Sequence, residues 1–361
     1  MSAIRPSSIA GWFGIAALVL LAGCERPPVE TTQLGFRGTA MQQTDNPRIL
    51  AAQRASLPPV PPDTPALPPG MPGPKAKDVY QNVQVLGDLP VADFVRHMNA
   101  ITQWVSPEQG CGYCHNLANL AEDSKYTKVV ARKMLEMTRN VNANWTQHVA
   151  DTGVTCYTCH RGKPVPDEVW FKAAVPKANT QPMLGNDFGQ NKAVGSVATT
   201  SLPYDPFSAY LTDVQEIRVY TKEPLPQKGT DRATIQAAEQ TYSLMMHFSQ
   251  GLGVNCTYCH NSQAFSEWFP RKATAWHGIR MVREANNDYI VPLTSTFPAD
   301  RLGPTGDVAK VYCATCHQGV NKPLAGMQMA KHYPGLQGEP KATVPSASGA
   351  VAAVAAPVAG R

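Results

Sequence analysis

The sequence predicts a mainly α-helical fold with little β structure and long irregular connectors, assembled as two related modules. Three observations carry that expectation. A five-residue signature, Cys-x-x-Cys-His, occurs four times, apolar residues recur at helical spacing ahead of the signatures, and the pattern of helix and signature repeats once along the chain. The signatures are Cys111-Gly112-Tyr113-Cys114-His115, Cys156-Tyr157-Thr158-Cys159-His160, Cys256-Thr257-Tyr258-Cys259-His260 and Cys313-Ala314-Thr315-Cys316-His317. They use eight of the nine cysteines. One such motif could be a redox dithiol or half a zinc site. Four of them read as covalent attachment sites for c-type haem, with both sulfurs reaching the vinyl groups of one porphyrin and the histidine turning under the ring as proximal ligand. The expected architecture is therefore a multihaem cytochrome c of two pseudo-two-fold related dihaem modules, holding four covalently bound haems.

The modules read from the residues as follows. In the first, residues 78–166, Val91, Phe94, Val95, Met98, Ile101 and Val105 share a helical stripe that Pro107 and Gly110 end just before Cys111. A second helix is expected over residues 125–140, with Val130, Met134 and Met137 on one stripe. Residues 167–230 hold no signature and read as a connector, with a short strand expected over 211–219. The second module, residues 231–325, repeats the scheme with helices over 231–250 and 273–287. Cys111 and Cys156 are 45 positions apart, and Cys256 and Cys313 are 57 apart. Lys133-Met134-Leu135-Glu136 echoes Arg280-Met281-Val282-Arg283, and His160-Arg161-Gly162 echoes His317-Gln318-Gly319.

The termini carry different information. Residues 1–23 combine Arg5, an apolar run and small residues, which is a secretory signal, and Leu21-Ala22-Gly23-Cys24 resembles the lipid-attachment site of bacterial lipoproteins. By that resemblance Cys24 is lipidated, which would hold the protein at a membrane surface. Export suits haem attachment, which in bacteria takes place outside the cytoplasmic membrane. Residues 24–77 read as an extended lipidated segment and linker, dense in proline from Pro58 to Pro74. Within it, residues 33–41 read equally as an ordered turn or an unstructured leader. Residues 326–361 read as a low-complexity tail. Formal charge is +5 and dispersed, with no Lys/Arg run of the kind that binds nucleic acid.

An iron with one histidine has a further axial position, and a thioether there favours ferrous iron and a higher potential than a second imidazole. Local spacing makes Met98, Met134 and Met245 candidates, with Met137 and Met246 as rivals and His97 and His247 close by. For the fourth site, Met281, His277 and His148 stay open on local grounds. Arg161, Arg280 and Arg283 are candidate partners for haem propionates.

The chain closely resembles the tetrahaem cytochrome subunit of purple-bacterial photosynthetic reaction centres. The resemblance rests on the four signatures at these intervals, the lipid site, residues 33–41, Trp104-Val105-Ser106-Pro107, the string from Val130 to Arg139, Asn144-Trp145-Thr146-Gln147-His148-Val149 and the string from Trp276 to Arg283. It implies axial pairs Met98/His115, Met134/His160 and Met245/His260, with His148 reaching across from the first module to pair with His317. It implies a row of haems in the order first, second, fourth, third, with alternating low and high potentials and the third nearest the special pair of bacteriochlorophylls. The expected function is electron transfer, not enzymatic catalysis. Electrons would pass from a soluble cytochrome c or high-potential iron–sulfur protein to the photo-oxidised special pair held by the L and M subunits, at the periplasmic face of the photosynthetic membrane. The competing expectation is a periplasmic respiratory shuttle or quinol dehydrogenase.

Overall fold

The computed structural model describes residues 29–57, 59–61, 67–68, 73–174, 193–219 and 234–341. The signal segment, Cys24, most of the proline-rich stretch, residues 231–233 of the expected third helix and residues 342–361 lie outside them.

The described N-terminal part is not wholly extended, as the sequence led us to expect. Strands β1 (Glu30–Gln33) and β2 (Gln42–Asp45) form an antiparallel hairpin in the register Glu30 to Asp45 and Gln33 to Gln42. Residues 34–41 are its turn, with Phe36 at 86% exposure. Helix α1 (Pro47–Ser56) follows because Asn46 caps it, accepting from the Arg48 and Ile49 amides, and Pro47 occupies the first turn.

Helix α2 (Val91–Val105) buries Asp93, His97 and Trp104. Phe94, Met98, Ile101 and Val105 form a half-buried apolar stripe beside that face. The helix ends before Pro107, and Gly110, at φ +61, turns the chain into the first signature. Helix α3 (Tyr126–Asn144) buries Leu135, Thr138, Val141 and Asn142. A single turn, α4 (Thr146–Val149), carries His148, and the second signature is itself helical, α5 (Cys156–His160). In the second half, α6 (Ile235–Leu252) is capped by Thr234 and ended by Gly253 at φ +64. Next come α7 (Pro270–Glu284), which starts on a proline and runs into a wider turn at Ala285–Ile290, and α8 (Cys313–His317), the fourth signature.

Two apolar clusters hold these elements. One is built on Leu86, Trp104, Leu135, Tyr157, Tyr333 and Leu336. The other is built on Tyr210, Leu211, Leu244, Met281, Tyr312 and Ala314. The second takes in Trp170, Phe207, Tyr210 and Leu211, which the sequence assigned to the connector, and the first takes in Tyr333 and Leu336, which it assigned to the tail. The strand expected over 211–219 is absent. Ser208–Thr212 is a wide helical turn, and residues 213–219 are irregular. Tyr210 and Leu211 are fully buried there, in a turn rather than an extended pairing. Residues 326–341, grouped with the tail by composition, return to the first half. The Gly335 carbonyl accepts from Arg139 (2.8 Å) and the Leu336 carbonyl from Asn142 (2.9 Å).

Candidate haem-binding sites

Each signature folds locally so that its histidine is aimed by the main chain. In the first and third, a short turn places the histidine amide on the first cysteine carbonyl, 3.0 Å away for His115 on Cys111 and for His260 on Cys256. The next turn repeats too. Asn116 donates to Glu122 (2.8 Å) and Asn261 to Glu267 (2.9 Å). A lysine then gathers the loop carbonyls. Lys128 Nζ donates to Leu120, Ala121 and Glu122, and Lys272 Nζ to Phe265 and Glu267. In the second and fourth, the residue three after the helix cap reaches back: the Thr155 amide donates to Thr158 Oγ1 (2.9 Å) and the Tyr312 amide to Thr315 Oγ1 (3.0 Å). Both turns end on a left-handed residue, Arg161 at φ +52 and Gln318 at φ +49. The glycine that follows donates its amide to the end of a long helix, Gly162 to Trp104 and Gly319 to Gly251, both at 2.8 Å.

The four signature imidazoles share one arrangement. Nδ1 lies 3.0 Å from the Leu120 carbonyl in His115, 2.9 Å from Lys163 in His160, 3.1 Å from Phe265 in His260 and 3.0 Å from Val320 in His317. A carbonyl can only accept, so Nδ1 holds the proton and the Nε2 lone pair is left for a metal. Burial reinforces the neutral form by lowering the pKa of His160 and His260, and it holds His317 down at about 4. Burial pushes the Cys156 and Cys313 thiols up to about 12. Such thiols are poor redox nucleophiles or thiolate metal ligands, unlike those of a dithiol oxidoreductase or a zinc site.

The contacts between elements link the signatures in space. Helix α2 packs on α5, α5 on α8, and α8 on α6. At the middle contact Cys159 Sγ and Cys316 Sγ are 2.7 Å apart, so the second and fourth signatures are neighbours. The hairpin lies against the third signature: the Thr44 amide donates to Asn255 Oδ1 (3.0 Å) and Thr257 Oγ1 to the Gln42 carbonyl (2.7 Å).

The candidate axial residues separate as follows. Met98 lies on the half-buried stripe of α2, and Met134, Met137, Met245 and Met246 are half-buried on α3 and α6. Met281 is 8% exposed and belongs to the core cluster with Ile279 and Val282. His97 and His247 turn into the protein, His97 against Tyr333 and His247 against Phe207 and Tyr312. His277 packs edge-on against Trp276. His148 crosses to the second half. Its Nδ1 faces the Thr274 carbonyl at 2.9 Å, and its ring centre is 6.0 Å from that of His317, at 71°. Two metal–nitrogen bonds of about 2 Å each plus the two ring radii come to about 6 Å, so one iron fits between them.

The arginine candidates also separate. Arg283 spends Nε and Nη2 on the Tyr210 carbonyl (3.1 and 2.9 Å), so its fork is not free for a propionate. Arg280 lies over the exposed Trp276 ring. Arg161 is 5% exposed, and its Nε and Nη2 have no protein partner. Those two N–H groups form the side-on fork that takes a carboxylate. A buried, unpaired fork fits an anionic group such as a carboxylate. Sequence reasoning missed Lys128, Lys272 and the Asn–Glu pairs. The signal was there: asparagine follows the signature histidine at once and glutamate stands seven positions after it in both the first and third sites.

Histidines held for metal by main-chain carbonyls, each closing a Cys-x-x-Cys-His signature, define a c-type cytochrome, which binds haem covalently. The model of the photosynthetic reaction centre cytochrome c subunit family matches residues 25–337. The chain is 57% identical to the photosynthetic reaction center cytochrome c subunit of Rubrivivax gelatinosus, over 96% of this chain and 93% of that one. It is 48% identical to the protein of the same name from Thermochromatium tepidum, over 96% and 84%. It is 27% identical to cytochrome c-554 of Chloroflexus aurantiacus, over 69% and 71%. The chain belongs to the photosynthetic reaction centre cytochrome c subunit family, whose members are electron carriers. No helix among the described residues is long and apolar enough to cross a membrane.

Proposed function

We propose that this chain carries four covalent haems in a row and passes single electrons from a soluble periplasmic carrier, a cytochrome c or a high-potential iron–sulfur protein, to the photo-oxidised special pair held by the L and M subunits. The observation that carries the reading is the packing sequence α2–α5–α8–α6, which supports the order first, second, fourth, third. The equivalent hydrogen bonds of Gly162 and Gly319, and of Lys128 and Lys272, support two modules related by a pseudo-two-fold axis through the α5–α8 contact. Attachment is through Cys111 and Cys114, Cys156 and Cys159, Cys256 and Cys259, and Cys313 and Cys316.

Bound haem supplies a one-electron iron couple close to each signature. The chain sets the couple's environment. The Leu120, Lys163, Phe265 and Val320 carbonyls hold each proximal imidazole in one tautomer and orientation. Met98, Met134 and Met245 offer thioethers to the first three sites, which raises potential. His148 offers an imidazole to the site of His317, which leaves that site lower. The burial of Met281 in the core favours His148 over Met281 at the fourth site. Lipid on Cys24 would hold the chain at the periplasmic face of the membrane. Glu30 is six positions after Cys24, a reach of at most about 20 Å. The hairpin's bonds to Asn255 and Thr257 therefore support a third site facing the membrane.

The test is flash excitation of native membranes. Haem oxidation should rise in step with special-pair re-reduction, and a chain deleted for the third-site cysteines should abolish it. Re-reduction that proceeds with no haem oxidation would remove the proposal. His148→Met should raise one low potential in a redox titration of the same membranes.

A further inference from the structure

We infer that Gly278 and the Thr274 carbonyl form a slot on α7 that positions the His148 imidazole. The inference rests on the reading of His148 as an axial ligand and goes beyond it, since it names what holds a ligand borrowed from the other half of the chain. His148 sits on α4, a single turn. One turn of helix has too few internal hydrogen bonds to keep a side chain in place, so the neighbouring helix must do it. Thr274 and Gly278 are one turn apart on α7 and therefore share a face. The Thr274 carbonyl accepts from His148 Nδ1 at 2.9 Å. Below it, Gly278 is buried and leaves the space the ring fills. A Cβ there would stand 2.6 Å from Cε1, 2.8 Å from Nδ1 and 3.2 Å from Nε2 of His148.

No alternative ring position preserves the arrangement. Ordinary carbon contacts are about 3.5–4.0 Å, so a methyl group at 278 would drive the ring off by about 1 Å. That is about half of a metal–nitrogen bond of about 2 Å. The turn cannot follow the ring, because α7 also grips the chain just before it. Glu284 accepts from Trp145 Nε1 (2.9 Å) through one oxygen and from Asn140 (3.0 Å) through the other. A slot fixed at both ends gives the imidazole a single place, 6.0 Å from His317. Gly278 does not touch the iron in this account. It is a positioning residue, and its lack of a side chain is the whole of its contribution.

The experiment uses the full chain with its haems. Near-infrared magnetic circular dichroism distinguishes bis-imidazole from imidazole–thioether ligation, and carbon monoxide reports an opened axial position. Gly278→Ala should lose the bis-imidazole band and bind carbon monoxide at one haem, with the three thioether bands unchanged. His148→Met should lose the same band without binding carbon monoxide. If Gly278→Ala keeps the band while His148→Met loses it, the slot is wrong and the axial assignment stands. If both variants keep it, the axial assignment itself is wrong. Should Gly278→Ala fail to accumulate, the double variant Gly278→Ala/His148→Ala decides. Restored accumulation shows that the clash with the imidazole was the defect, and continued failure overturns the slot.

Discussion

Replacing Lys128 by methionine tests how the first proximal histidine is held. Methionine keeps the length and apolar stem of the side chain and removes the ammonium. The side chain is 8% exposed, and its ammonium makes hydrogen bonds to the Leu120, Ala121 and Glu122 carbonyls at 2.8–2.9 Å, with an ion pair to Asp123 at 3.0 Å. A hydrogen bond to a charged group contributes about 1.5–3 kcal/mol, but three such values do not add here. The Leu120 carbonyl keeps its bond to His115, and the Ala121 carbonyl keeps its bond from Asn82. Only the Glu122 carbonyl loses its ammonium partner without another side chain to replace it, and the Asp123 pair is partly exposed. The expected loss is therefore about 2 kcal/mol, a fall of about 3 °C in the unfolding midpoint for a chain of this length. The local effect is larger than the global one, because the Leu120 carbonyl then orients His115 without a fixed loop behind it. We expect the first haem alone to show a shifted potential in a redox titration, and the thermal midpoint to fall as stated. An unchanged midpoint together with four unchanged potentials would refute the carbonyl-clamp argument.

Arg161→Gln removes a buried positive charge between the second and fourth sites and matches the residue found at Gln318. It should lower the midpoint potentials of those two haems by tens of mV, the scale of one charge about 10 Å away at an effective dielectric of about 20, while the first and third stay in place. Gly253→Ala should destabilise the junction of α6 and α8, since its Cβ would collide with the Gly319 carbonyl and the residue needs φ +64. Circular dichroism melting should show a fall of at least about 1 kcal/mol. Hydrogen bonding from Arg132 holds the Asp123 carboxyl well below the usual carboxylate range. A depressed pKa means that its stabilisation is complete above the unfolded value of about 3.9 and is lost as pH falls through the folded one. Wild type should therefore lose its advantage over Asp123→Asn in melts below about pH 4, and less steeply in high salt because the side chain is 40% exposed.

What could be read from the chain followed the range of the interactions. The helices around Met98 and Met134 were legible because an amphipathic stripe and its end signals lie within one segment. The proline and glycine after Val105 stop α2 where expected. Residues 208–219 were not legible, because an apolar run is compatible with a strand or a buried turn and only the packing of Tyr210 and Leu211 decides between them. The C-terminal segment misled for a similar reason. Its composition is that of a tail, yet Tyr333 and Leu336 fill a cluster made by helices nearly 200 positions earlier.

The sequence by itself determined the local chemistry of this cytochrome: the paired cysteines, the signature histidine and the carbonyl that holds it lie within ten consecutive residues at each signature. The tertiary structure decided which distant side chains are brought beside each signature and between the signatures. His148 meets the Thr274 carbonyl across 126 positions. The Arg161 fork is left open where two signatures converge, and Gly278 is the gap into which a ring from the other half fits. No local pattern encodes such meetings, because they depend on which faces of distant helices are brought together when the core is buried.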